Sequence, residues 1–190
     1  MRIETERLII RDFNANDLND LHEIFSHEMF FKNPEKPYSI QQTKGFLMDF
    51  CINTEPRPAF AVASKKDNKL AGYILFNPVG DEGVREMGWF FSKKYWTLGY
   101  ALESCKEIIA HGFEQMEVKK IIAETADTER AIPLIEKLGM TQEGKQKIQH
   151  KETGEWQDLY WFGYLADNYF KDKNARLNAT FHSSRSRRGS

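Results

Sequence analysis

The chain has only two cysteines in 190 residues, Cys51 and Cys105, and neither stands at a metal-ligand spacing or beside a pair of histidines. That argues against a metal site and predicts a reducing, cytoplasmic setting in which both thiols act as small buried hydrophobes. No apolar run approaches the roughly 18 residues that a membrane span needs, and Ile9–Ile10 is soon followed by Arg11 and Asp12. The start, Met1-Arg2-Ile3-Glu4, carries charge too early for a secretory signal. An excess of one charge is also lacking: 27 Lys and Arg balance 28 Asp and Glu, a formal net charge of -1. Nothing global therefore draws the chain toward nucleic acid or a membrane. What is present, 41% hydrophobic and 29% charged residues, is the composition of a globular protein whose length allows one domain with a substantial core.

Hydrophobic periodicity orders this composition. Thr5 to Phe13 reads as a strand, and Asn14 to Ser26 as a helix with Leu18, Leu21, Ile24 and Phe25 at helical spacing. A loop follows with Phe30, Phe31, Pro34, Pro37 and Tyr38. Ser39 with Gln42 is a capping box that predicts a second helix to about Asn53. Three strand-like runs come next, Ala59–Ser64, Leu70–Asn77 and Val84–Phe91, with loops suited to a meander. A helix from about Tyr100 to Met116 has Ala101, Cys105, Ile108, Ile109 and Phe113 as its buried stripe. Then come a strand at Lys120–Thr125, a short helix at Ala131–Leu138 closed by Gly139, and strands at Glu143–His150 and Trp156–Leu165. The order βααβββαβαββ predicts an α+β fold, a mixed and mostly antiparallel central sheet flanked by helices. The domain spans residues 1–170. Residues 171–190, ending Ser-Arg-Ser-Arg-Arg-Gly-Ser, read as a solvated basic tail, disordered or an appended remnant, with an RNA-binding arm as the competing reading.

The most informative segment is Glu86 to Glu103, a strand that enters a loop containing Gly99 and then a helix. The first N–H groups of a helix lack intrahelical partners, and the dipole there is positive. Such an end suits a phosphate, and Gly99 and Ala101 would let it approach. The unit alone is equally readable as a tight connection without a ligand.

Trp96-Thr97-Leu98-Gly99-Tyr100-Ala101 resembles the Gln/Arg-x-x-Gly-x-Gly/Ala acyl-CoA motif of the GNAT superfamily. More narrowly, it is similar to the branch that contains the ribosomal-protein alanine N-acetyltransferases. Thr5-Glu6-Arg7-Leu8-Ile9-Ile10-Arg11 resembles the opening of that branch, Glu136-Lys137-Leu138-Gly139-Met140 its E-K-L-G-F, and Glu143-Gly144 its next E-G. Gly154, Asp158 and Tyr160 match its G-x-x-x-D-x-x-Y ending. The resemblance covers about residues 3–166.

The resemblance implies a metal-independent N-acetyltransferase that takes acetyl-CoA as co-substrate. It implies that the strand ending at Phe91 splays from the strand starting near Lys120, so that backbone groups around Trp89, Phe90 and Phe91 meet the pantetheine arm. Trp96, Thr97, Leu98, Gly99, Tyr100 and Ala101 would hold the pyrophosphate, and Thr128 would contribute from the second half. Glu86 stands about where many relatives carry a catalytic Glu, and alternation puts it on one face with Gly88 and Phe90. A buried carboxylate there would suit a general base; a paired structural Glu is the alternative. His150 falls where some relatives carry an acidic residue thought to activate water. Tyr160 or Tyr164 would supply an acid, unless each is simply a core aromatic.

Several positions depart from the pattern. Thr97 replaces Gly, and Leu98 replaces a basic residue for which Lys93, Lys94 and Lys106 are the candidate substitutes. Thr128-Glu129-Arg130-Ala131 stands where the branch favours Asn-x-x-Ser, and Ala131 cannot donate a proton. Pro133 requires that its helix begin near Arg130 or later. The acceptor is a small-molecule amine or a protein N-terminus, with Phe30, Phe31, Tyr38 and Trp156 as candidate walls. The final strand and its aromatics suit a homodimer; no membrane or nucleic-acid partner is expected. A second reading keeps the fold without the chemistry, as an acyl-CoA-binding sensor or partner-binding module.

Overall fold

The computed structural model describes residues 1–26, 37–149 and 154–186, with side chains to residue 179. The strand predicted over Thr5 to Phe13 forms at Leu8–Arg11 (β2), and an unpredicted strand before it, Arg2–Glu4 (β1), pairs with it through a turn at Thr5, whose amide donates to the Leu8 carbonyl at 3.0 Å. Asn14 and Asp17 form a reciprocal capping box that leads into α1, Leu18–Phe25. The Ser39–Gln42 box starts α2, Ile40–Gly45, which widens into i→i+5 turns over Phe46–Ile52.

The meander follows as read: β3 (Ala59–Ser64), β4 (Leu70–Pro78) and β5 (Val84–Phe91). After them come α3 (Tyr100–Gln115), β6 (Lys120–Thr125), α4 (Ala131–Lys137), β7 (Thr141–Gln149) and β8 (Trp156–Leu165). Pro133 is tolerated because α4 starts at Ala131, leaving Pro133 in the first turn, where amides have no intrahelical acceptor. Where composition predicts an unstructured tail from residue 171, the chain continues from β8 as α5, Ala166–Ser186. Its first turns are tied down by Tyr164 donating to Asp172 at 2.9 Å and Lys173 paired with Glu114 at 2.5 Å.

The described strands form one eight-stranded sheet in the order β1-β2-β3-β4-β5-β6-β8-β7. Every pairing is antiparallel except β5 with β6. Alternation splits the side chains between two cores. On one face Leu8, Val62, Phe76, Ile121 and Phe162 pack against Ile108 and Ile109 of α3 and Ile135 of α4. On the other, Ala61 and Tyr73 meet Leu21, Ile24 and Phe25 of α1, with Leu47 and Cys51 beyond α2. Each fully buried Leu, Ile or Phe contributes about 1.5–3 kcal/mol. Both cysteines lie in these cores at 0% exposure, and burial pushes the Cys51 thiol up to about 12. They pack rather than react.

Candidate active site

The parallel pairing of β5 with β6 stops early. Val84, Arg85 and Glu86 pair with Lys120, Ile121 and Ile122, and no pair follows, although β5 runs on to Phe91 and β6 to Thr125. Each strand stays bound on its outer side, β5 to β4 as far as Phe91↔Gly72 and β6 to β8 as far as Thr125↔Tyr160. The two halves of the sheet therefore part beyond Glu86.

The phase of the β4–β5 ladder decides which backbone groups face the gap. The Ser92 amide donates to the Ala71 carbonyl at 2.9 Å, so even-numbered residues of β5 exchange bonds with β4. Met87, Trp89 and Phe91 then turn their N–H and C=O groups toward β6. The Phe91 carbonyl accepts from Trp96 Nε1 at 2.8 Å. Phe90 turns its backbone to β4 instead, and its ring stacks on Tyr73 at 4.8 Å.

Between the parted strands, the start of α3 and α4 lies a cleft of about 670 Å³, a size suited to a small-molecule ligand. At its mouth the chain turns with φ of +63° at Thr97 and +80° at Gly99. Such an alternation aims successive amides into one concavity. After Trp96 the first amide with an internal acceptor is that of Glu103, bonded to the Gly99 carbonyl at 3.0 Å. Among the described residues, the amides from Thr97 to Leu102 make no short, well-aligned hydrogen bond to an acceptor within the chain. Together with the α3 dipole they form a site for an anion. A Cβ on Gly99 would meet only Arg7 Nη2, at 3.5 Å, so φ rather than crowding calls for glycine there.

The turn is braced by the N-terminal hairpin. Arg7 donates to Glu103 at 2.7 and 2.5 Å and to the Leu98 carbonyl at 2.8 Å, with its guanidinium 4.9 Å from the Tyr100 ring centroid. Thr5 Oγ1 donates to Glu103 at 2.5 Å. Burial works against the Glu103 anion, but these bonds and the Arg7 charge outweigh it and hold the carboxyl below its usual range. Two motif pieces far apart in sequence thus meet in one contact.

Glu86 is the last paired residue before the strands part, half-buried on the face it shares with Gly88 and Phe90. Burial raises its pKa, and the Glu124 carboxylate raises it further. Glu124 follows on β6 on the same face, lines the cleft, and accepts from Trp161 Nε1 at 3.1 Å. Tyr160 is half-buried beneath Lys145, whose ammonium lies 5.1 Å from the ring centroid, and it does not line the cleft. Tyr164 is buried, with its hydroxyl spent on Asp172 at α5, and burial and that carboxylate raise it to about 12. Its candidacy as an acid is withdrawn on that ground. His150, Phe30 and Phe31 lie outside the described residues. Tyr38 packs edge-on against Phe25 at 5.1 Å, and Trp156 is 64% exposed.

Trp96, Thr97, Gly99, Tyr100 and Ala101 all line the cleft, as do Trp89, Phe90 and Phe91; Leu98 and Thr128 do not, and Glu86 stands at the inner end of the opening, one residue before the lining begins at Met87. The sequence reading missed Asp127, Arg130 and Lys137. Asp127, one residue before the position read as the motif's polar anchor, accepts from the Glu129 and Arg130 amides at 3.2 and 3.1 Å and so caps the turn into α4. Asp at such a turn was a usable signal; the contacts of Arg130 and Lys137 with the cleft were not legible. Among the described residues no cluster of three metal-ligating side chains is found, and no helix is long and apolar enough to cross a membrane.

This arrangement agrees with what the chain is similar to. The acetyltransferase (GNAT) domain family matches residues 7–141. The uncharacterized N-acetyltransferase YnaD of Bacillus subtilis (strain 168) is 31% identical over 173 residues, covering 89% of this chain and 99% of that protein. A GNAT-family acetyltransferase structure from Bacillus anthracis superposes with a TM-score of 0.77 at 32% identity, over 88% of this chain and 99% of that one. The ribosomal-protein-S5-alanine acetyltransferase of Vibrio fischeri shares the fold, with a TM-score of 0.75 at 16% identity over 88% and 97% of the two chains. An unsealed sheet, a cleft and a turn of free amides thus coincide with family membership over most of the chain, which belongs to the GNAT acetyltransferases and is an N-acetyltransferase.

Proposed function

We propose that the chain transfers the acetyl group of acetyl-CoA to a primary amine, a small molecule or a protein N-terminus, by direct attack on the thioester. The observation that carries this reading is the run of free amides from Thr97 to Leu102 at the mouth of the cleft between β5 and β6. The cleft fits the co-substrate on three counts. It has room, its turn presents donors to a diphosphate, and the open N–H and C=O groups of Met87 and Trp89 offer pairing to an amide-bearing arm.

Acetyl-CoA supplies an activated acyl carbon. The chain's task is to hold that carbon beside an amine and to move protons. An amine near pKa 10 is mostly protonated at neutral pH, so a base must act before attack. Glu86 is the candidate, directly or through one water, and its raised proton affinity supports that role. The ammonium gives its first proton to Glu86, directly or through one water; the nitrogen–carbon bond then forms as the carbon–sulfur bond breaks, the second N–H proton leaves to solvent water, and the electron pair leaves on sulfur as the thiolate. Ala131 cannot protonate that sulfur, so the reading relies on the modest basicity of a thiolate at neutral pH.

Ala131 is also the reason to keep the second reading, a binding module without turnover. The test is release of free CoA thiol from acetyl-CoA with a panel of amines, covering diamines, amino acids, aminoglycosides and peptides with free N-termini. Turnover with any member supports the enzyme. Tight acetyl-CoA binding without turnover across the panel favours the module.

A further inference from the structure

We propose that Arg130 is the cation that binds the phosphate groups of the acyl-CoA thioester in this chain, replacing the missing basic side chain at position 98, with Asp127 holding it ready. The proposal rests on the reading above that acyl-CoA enters the cleft.

The anion site has donors but lacks a nearby free charge. Leu98 offers no cation, and its side chain is 47% exposed outside the cleft. Arg7 is close, but its guanidinium is committed to Glu103, the Leu98 carbonyl and the Tyr100 ring. Lys93, Lys94 and Lys106 are exposed and do not line the cleft, and Lys94 sits 4.8 Å over the Tyr95 ring. The cations that do line it are Arg130 and Lys137, opposite the carboxylates of Glu124 and Asp127. Without Arg130 the lining would carry net negative charge toward a ligand that is itself a polyanion.

The placement of Arg130 suits the task. Its guanidinium lies 5.3 Å from the ring centroid of Trp96, the residue that precedes the turn of amides, and both residues line the cleft. Trp96 is itself fixed by its bond to the Phe91 carbonyl, so the aromatic platform is rigid. Stacking leaves the N–H edges of a guanidinium free to fork onto phosphate oxygens. At present Nη2 and Nε engage Asp127 Oδ2 at 2.9 and 3.0 Å. The Arg130 side chain is 58% exposed, so this pair is weak enough for an arriving phosphate to compete for it. Asp127 thus orients the guanidinium and keeps it from swinging into solvent.

The test compares wild type with Arg130→Gln, Arg130→Lys and Asp127→Asn, following acetyl-CoA binding by calorimetry over a range of ionic strength, together with melting temperatures. Loss of a charge-assisted contact weakens binding roughly tenfold in R130Q at low ionic strength, and the gap to wild type closes as salt is added. R130K recovers part of the loss, and D127N, which keeps the cap but holds the guanidinium less firmly, weakens binding by less than R130Q and leaves its salt dependence and the melting temperature near wild type. A purely structural Arg130–Asp127 clamp predicts the reverse. R130Q and D127N would then weaken binding together, in parallel with lowered melting temperature and with no change in salt dependence, and that result overturns the proposal. Unchanged binding in R130Q overturns it equally. Failure of the wild type to bind acetyl-CoA at all would instead remove the functional reading on which it stands.

Discussion

Thr97 holds φ at +63°, a backbone region that β-branched side chains rarely enter. The resemblance places glycine at this position, so Thr97→Gly isolates the strain of one side chain at the anion turn. A β-branched residue held there costs about 1–3 kcal/mol in the folded state. Against this, glycine gives the unfolded chain more freedom and returns about 0.5–1 kcal/mol of the gain. The net expectation is a stabilisation of about 1 kcal/mol, which for a chain of this size raises the melting temperature by about 2–4 °C. Differential scanning calorimetry of the ligand-free protein measures it, with Thr97→Ala as an intermediate case that removes the branching but keeps a Cβ. The exposed Thr97 side chain donates no hydrogen bond within the described residues, so no lost contact clouds the comparison. A fall in melting temperature for T97G would refute the assignment of strain and mean that the threonine is held by an interaction worth more than its backbone penalty.

Glu86→Gln should lower turnover by about a hundredfold or more if Glu86 is the base, and flatten a pH–rate profile that in the wild type rises as the Glu86 carboxyl ionises above its usual range. Because burial and Glu124 raise its folded-state pKa, the Glu86 contribution to stability is full below the ordinary carboxylate pKa and is lost as pH rises through the raised value. E86Q should therefore melt at or above wild type near neutral pH, with the difference vanishing on acidification, and a melt at neutral pH below wild type would contradict this. Gly112→Ala puts a Cβ 2.7 Å from Phe76 Cζ, where α3 packs on β4. Overpacking of about 1–3 kcal/mol, partly offset by about 1 kcal/mol of helix propensity, should lower the melting temperature while leaving activity per folded molecule unchanged.

What was legible in the sequence follows the range over which each signal acts. The capping box at Ser39, alternation along Val84–Phe91 and the stripe of α3 are local patterns, and the elements form where those patterns lie. Strand β1 and the hairpin it makes with β2 are not legible because the turn between them, Thr5-Glu6-Arg7, contains neither glycine nor proline. The turn closes instead through the Thr5 amide and hydroxyl on Leu8. Helix α5 was missed because its composition is polar, and what anchors it comes from elsewhere in the chain. Tyr169 and Lys173 both reach Glu114 of α3, and Asp172 accepts from Tyr164 of β8.

The candidate site divides along the same line. The free amides were readable because they are a consequence of backbone geometry around Gly99, and any side chain at Thr97 or Leu98 leaves them in place. The side chains that tune the site were not readable, because each acts across the fold: Arg7 on Glu103, Arg130 on Trp96, Glu124 on Glu86. On the proposed reading, an anion turn built this way does not depend on a basic side chain at 98. Its donors belong to the main chain, and a charge can be supplied by whichever element the open sheet brings alongside, in the proposal above the N-cap residue of α4. The division makes a sharp demand on experiment. Altering the φ-determining residue Gly99 should damage every phosphate contact together, whereas altering Arg130 should remove only the salt-dependent part of binding.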